Sequence, residues 1–216
     1  MPSLLFVDCW PEVAKDGCWK RRFTAIPRAA KQSGVKANVL HYTRLDLARL
    51  TAGPPSGIIL SGSRFNLLDD PSRDPRDGIA LSAFATLTEL LARLPQVHVL
   101  GICFGLQYLT VSAGGTLARL AVERRDPAWA IEPLVPDPLF AGLSSLHCVE
   151  NHCWRIDRPA PHWQVVARSR DGIEALRHDS LPRVGVQFHP EYHRQPGATT
   201  DGQIVLMNWL SGLPRG

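Results

Sequence analysis

Residues 97–115, VHVLGICFGLQYLTVSAGG, set an apolar run, a glycine-flanked corner and a helix-spaced segment in direct succession. A chain that turns from strand into helix this abruptly belongs to an α/β arrangement, and the rest of the sequence keeps the same rhythm. LLFVDC (4–9), VKANVLHY (35–42) and GIILSG (57–62) read as further strands. Residues 21–33 are helix-compatible although Pro27 interrupts them, and 78–94 carry apolar positions at helical spacing up to Pro95. Near-continuous apolar strands between helices imply a parallel sheet covered on both faces. The second half differs. TLARLAVE (116–123), SLHCVENH (145–152), WQVVARS (163–169) and RVGVQFH (183–189) read as strands separated by turn signals, and helical spacing returns only at 201–210. The proline-rich piece 129–143 reads as a long connection. The expectation is one α/β domain over residues 1–216: a flavodoxin-like, mostly parallel sheet flanked by helices, with antiparallel strands added in the second half.

At 216 residues the chain is long enough to bury a sizeable core without a disulfide or metal staple. It has no internal repeat, and no apolar run of membrane-spanning length, so no membrane partner is expected. The start, MPSLLFVDCWPEV, lacks a basic region and cleavage site and reads as a first strand. Five cysteines, an odd number, suit free thiols in a reducing compartment, and the expected location is cytoplasmic. The net charge of +4 comes from scattered arginines, with clusters only at Lys20-Arg21-Arg22 and Arg124-Arg125. No nucleic-acid signature accompanies them, so the basic balance reads as a solvated surface, and the two clusters as docking points for an acidic partner or a phosphate-bearing ligand.

The corner at Cys103 has the form of a nucleophile elbow. Gly101 and Gly105 flank it at two-residue spacing and keep a tight turn free of Cβ clashes. A helix beginning there aims backbone N–H groups at the sulfur and favours thiolate. Read blandly, Cys103 is a small buried residue at a strand–helix junction. A thiol nucleophile needs a base. His189, in GVQFHPEY, follows an apolar strand and would also stand at a strand end. Glu191, two residues on, can turn its carboxylate back to orient the imidazole. Their bland readings are a satisfied loop histidine and an exposed acid.

GICFGLQ (101–107), VSAGG (111–115) and GVQFHPE (185–191), in that order and with Cys103 and His189 86 positions apart, resemble the nucleophile and histidine–glutamate segments of class I glutamine amidotransferases. Among these the likeness is to the glutaminase domain of GMP synthases and to stand-alone relatives. The resemblance implies catalysis by Cys103, His189 and Glu191 through a γ-glutamyl thioester. It implies oxyanion donors at Phe104 and at the Gly62-Ser63 turn, a pocket lined by Gln107, and a grip on glutamine by the backbone around Asn151 and His152. Glutamine or a γ-glutamyl small molecule is the implied substrate, no cofactor is expected, and a separate synthetase subunit is the implied ammonia acceptor. The family pattern of two glycines and a proline after the oxyanion strand is replaced here by SGSRFN (61–66), with Ser63 and Arg64 at the changed positions.

Four alternatives stay open: a stand-alone γ-glutamyl hydrolase, a catalytically silent scaffold of the same fold, a basic nucleic-acid-binding domain that only the charge supports, and a thiol hydrolase of α/β-hydrolase type. The last places its acid between nucleophile and histidine, unlike this chain. The loop 8–22, with two tryptophans and a basic end, is the candidate docking element. HCVENHC (147–153) is rich in ligand types, but strand alternation divides His147, Val149, Asn151 and Cys153 from Cys148, Glu150 and His152. His189 and His193 have helical ligand spacing, which Pro190 opposes. No metal site is expected.

Overall fold

The computed structural model describes residues 1–11, 24–68, 74 and 77–215. The candidate docking element 8–22 lies outside the described residues from position 12 onward, including Cys18, Trp19 and the Lys20-Arg21-Arg22 cluster.

The elements run β1 (Ser3–Asp8), α1 (Ala25–Gln32), β2 (Lys36–His41), α2 (Leu47–Ala52), β3 (Gly57–Leu60), β4 (Asn66–Leu67), β5 (Gly78–Ile79), α3 (Ala85–Arg93), β6 (His98–Ile102), α4 (Phe104–Ser112), β7 (Thr116–Pro133), β8 (Leu146–Arg158), β9 (Trp163–Ser169), β10 (Gly172–His178), β11 (Arg183–Val186) and α5 (Asp201–Ser211). Among the described residues nine strands form one sheet in the order β2-β1-β3-β6-β11-β10-β8-β7-β9. β2, β1, β3, β6 and β11 pair in parallel. β10 then reverses direction, and β7 to β10 pair antiparallel. β9 bonds to both β7 and β10, so these four strands close into a ring of pairings that leaves few edges for a stray chain. The result is a mixed α/β fold richer in antiparallel strands than the expected mostly parallel sheet.

Side-chain alternation builds a core on each face of the parallel half. In β1, Leu4 and Phe6 join one cluster with α1 and α5, while Leu5 and Val7 join the other with α3 and α4. Both faces are covered, which is why these strands read as unbroken apolar runs.

Three expectations change against the structure, and one strand appears that none of them named. Pro27 does not interrupt a helix: α1 starts at Ala25, so the proline occupies the first turn, where a missing N–H costs nothing. The expected helix over 78–94 starts only at Ala85. Its first residues pair with β4 instead, where Asn66 donates to the Asp77 carbonyl and to the Asp74 carboxylate. The piece taken as a connection from 129 belongs to β7 as far as Pro133, with Pro127 tolerated inside a register shift between Asp126 and Trp129. β10, GIEALRH, is a strand that the sequence hid, because two charged residues break its apolar look. Both find partners: Ser169 donates to Glu174, and Arg177 makes a two-point ion pair with Asp137.

Candidate active site

Three parallel neighbours, β3, β6 and β11, end side by side. Leu60 is level with Gly101, and Gly101 with Gly185. Two residues further along each strand stand Gly62, Cys103 and Gln187, at the carboxyl edge where open α/β sheets bind ligands. His189 follows immediately, and its N–H donates to the Val149 carbonyl of β8 at 2.8 Å. The site therefore spans both halves of the sheet.

Cys103 sits at the corner with φ +49° and ψ −102°, a conformation strained for a residue with a Cβ. Its N–H donates to the Val186 carbonyl at 2.7 Å, and it is 4% exposed. The flanking glycines answer to contact. A Cβ on Gly101 would lie 2.6 Å from the Gly105 backbone, and one on Gly105 would lie 2.5 Å from the Leu60 carbonyl oxygen. Only two bare Cα atoms let the first turn of α4 lie this close to β6 and β3. Phe104 opens α4, so its N–H has no carbonyl one turn earlier to bond. Its ring packs against Phe65 and Phe84.

His189 and Glu191 are both buried, and His189 Nδ1 lies 2.7 Å from Glu191 Oε1. The Tyr192 ring stacks on the imidazole with centroids 4.6 Å apart and planes within 9°. Burial alone would push the imidazole pKa down. The Glu191 carboxylate and the Cys103 sulfur, each by charge and by hydrogen bond, override it and hold the ring well above its ordinary value. An imidazolium held between an acid and a sulfur carries a proton that it can deliver to a leaving group.

A cavity of about 290 Å³ opens above the sulfur, lined by Cys103, Gln107, His189, Asn151 and His152 among others. Ser63 lies on its wall, and its Oγ accepts from the Phe65 N–H, which shapes the turn. Gly62 packs directly on the site: a Cβ there would meet His189 Cε1 at 2.7 Å. The structure thus brings Gly62, Ser63, Phe104, Gln107, Asn151 and His152 together around Cys103, His189 and Glu191. Arg64, at the rim and half exposed, pairs with Asp77 at 3.0 Å.

His152 contributes differently from Asn151. Its ring is buried, and Nδ1 lies 2.9 Å from the Trp154 carbonyl. A carbonyl can only accept, so Nδ1 carries the hydrogen and the neutral ring turns the lone pair of Nε2 toward Glu150 Oε2, 3.0 Å away. Glu174 of β10 completes a buried trio whose ligand atoms lie within 4.8 Å of one another, the set among the described residues able to approach one metal ion. The surrounding charges suit a proton there instead. Burial raises the Glu150 carboxyl to about 8 and Glu174 well above its ordinary value, while burial lowers the pKa of His152. A protonated Glu150 can donate to Nε2, satisfying both groups. Sequence reasoning gave Glu174 and Gln187 no role and named Glu150 only among the ligand types of HCVENHC. The available signal was a polar residue inside an otherwise apolar strand run, as in RVGVQF.

Fold and pocket together define a cysteine-dependent hydrolase of α/β architecture. The model of the family Glutamine amidotransferase class-I matches residues 22–202. One of the subunits of a glutamine-hydrolyzing GMP synthase from Pyrococcus abyssi is 31% identical over 188 residues, 85% of this chain and 89% of that protein. A glutamine-hydrolyzing GMP synthase from Thermomicrobium roseum is 33% identical over 187 residues, 86% of this chain but 32% of that protein. A crystal structure described as a GMP synthase subunit from Thermoplasma acidophilum superposes with a TM-score of 0.73 over 97% of this chain and 92% of its own, at 20% identity, a likeness of fold. The chain belongs to the class I glutamine amidotransferases, cysteine-dependent enzymes that hydrolyse glutamine. Among the described residues no helix is long and apolar enough to cross a membrane.

Proposed function

We propose that residues 1–216 act as one glutaminase domain, with a flavodoxin-like parallel half, that supplies ammonia to a synthetase subunit on another chain. The observation that carries this reading is His189 held between the Glu191 carboxylate and the Cys103 sulfur at the floor of the cavity. The Cys103 thiolate attacks the side-chain carbonyl carbon of glutamine. The Phe104 N–H and the backbone of the Gly62-Ser63 turn stabilise the oxyanion. As the C–N bond breaks, His189 gives its proton to the departing ammonia. Water, deprotonated by His189, then attacks the γ-glutamyl thioester. The C–S bond breaks with its electron pair returning to sulfur, and glutamate leaves. Asn151 and the backbone beside His152 grip the amino-acid end of the substrate. The separate acceptor follows the Pyrococcus abyssi relative, itself one subunit of its enzyme, which this chain matches over most of its length.

The test is labelling with a glutamine-directed alkylating analogue, mapped by mass spectrometry, beside ammonia release from glutamine and from γ-glutamyl amides. The expected result is an adduct on Cys103, turnover of glutamine, and a loss of roughly 10³-fold or more in kcat for Cys103→Ser. Turnover confined to other γ-glutamyl compounds would make the protein a stand-alone hydrolase. Undiminished hydrolysis by Cys103→Ser would remove the nucleophile from Cys103.

A further inference from the structure

Burying a thiolate is costly unless hydrogen bonds replace the water it has lost. His189 meets Cys103 from one direction. From another comes Gln187, 0% exposed, with Nε2 3.5 Å from Cys103 Sγ. The strand register delivers it there: Gly185 is level with Gly101, so Gln187 is level with Cys103. Gln187 Oε1 lies 3.3 Å from Gln107 Nε2, and the same Gln107 nitrogen lies 3.0 Å from the Trp154 carbonyl.

Amide nitrogen and oxygen are alike in size, but this chain of contacts orients itself. The Trp154 carbonyl can only accept, so Gln107 must face it with its NH2 group. The second hydrogen of that group then points to Gln187, which must answer with its oxygen. Only the Gln187 NH2 group is left for the sulfur. A backbone carbonyl some distance from the nucleophile thus fixes which end of a buried amide faces it.

We infer that Gln187 is a catalytic residue of the glutaminase reaction, donating a hydrogen bond to the Cys103 thiolate, and that Gln107 is the positioning residue that sets its orientation. The inference rests on Cys103 being the nucleophile. A neutral donor suits this place. It stabilises negative charge on sulfur without adding a second cation beside the imidazolium, which would favour loss of the His189 proton. The same donor stabilises the thiolate again when the thioester is hydrolysed and sulfur is the leaving group.

The experiment compares the wild type with Gln187→Met, which keeps the length and removes the donor, and with Gln107→Met. Each is checked by near-UV circular dichroism and thermal melting. The readouts are the pH dependence of Cys103 alkylation by iodoacetamide and the kinetic constants for glutamine. In Gln187→Met the alkylation midpoint is expected to move up by about one pH unit and kcat to fall about tenfold, with KM changed less than about twofold. Gln107→Met should shift the midpoint the same way by less. A folded Gln187→Met with the wild-type alkylation profile overturns the inference. If that variant does not fold, an unchanged midpoint in Gln107→Met overturns it instead. Alkylation that maps in the wild type to a different cysteine would defeat the nucleophile assignment itself, an outcome distinct from Cys103 labelling that ignores Gln187.

Discussion

Cys103 shows how far a single position depends on its neighbours. Its positive φ is held from outside, by the bond from its N–H to Val186 and by two glycines that let strand and helix meet without side chains. The glycine spacing was legible in the sequence because an elbow imposes it locally. What each glycine touches was not legible. Gly105 abuts the carbonyl of Leu60, 45 positions earlier, and that contact exists only once β3 lies next to β6. Backbone atoms cannot step aside as a flexible side chain can. Gly105→Ala is therefore expected to destabilise the protein by roughly 2–4 kcal/mol, against a much smaller loss for Ala at Gly53, whose added Cβ would meet only Arg49 O at 3.8 Å. Urea unfolding of the two variants measures this, and equal losses would mean that the close approach is not what holds the elbow.

β8 and β10 carry a polar core where an apolar one would be the simpler solution. Strand alternation correctly divided the HCVENHC stretch, setting Glu150 and His152 on one buried face with Cys148. It could not show that Glu174 would face them, because β10 did not read as a strand and Glu174 lies 24 positions after Glu150. The groups facing Glu150 are Glu174 and Asp171, His152, Arg124 and the His189 ring. A carboxyl whose folded pKa is raised stabilises the fold while protonated. For Glu150 that stability is present in full below the ordinary value of 4.5 and is lost as the pH climbs through about 8. The melting temperature should therefore fall as the pH rises over this window. Glu150→Gln retains a donor for His152 without the ionisation, and it should flatten that fall, read by differential scanning fluorimetry across the pH series. A slope identical to the wild type would show that Glu150 does not hold a proton in the fold.

Across the molecule, the nucleophile belongs to the parallel half of the sheet and the histidine loop is tied to the antiparallel half, so the geometry of the site depends on how the two are braced. The C-terminal helix α5 supplies much of the brace. Gly202 in its first turn lies against Pro190, where a Cβ would meet the carbonyl oxygen at 2.6 Å, and Asp201 accepts from the His147 N–H of β8 at 2.8 Å. Gly202→Ala is expected to push the loop bearing His189 and lower kcat by about tenfold while KM for glutamine stays nearly constant, since a displaced base weakens the chemical step more than binding. Steady-state kinetics decide it. A change confined to KM would place the effect of α5 on substrate binding.

The sequence alone determined the alternation of apolar strands and helices, the elbow at Cys103 and the acid two residues beyond His189. Each is local: a few neighbouring side chains and a backbone period are enough to specify it. The tertiary structure alone decided that four strands would close into an antiparallel ring, that Glu150, His152 and Glu174 would share one buried site, and that Gln187 would turn its amide toward the sulfur. Those arrangements arise from strand register and from which buried donor meets which acceptor, and both exist only after distant segments have been brought side by side.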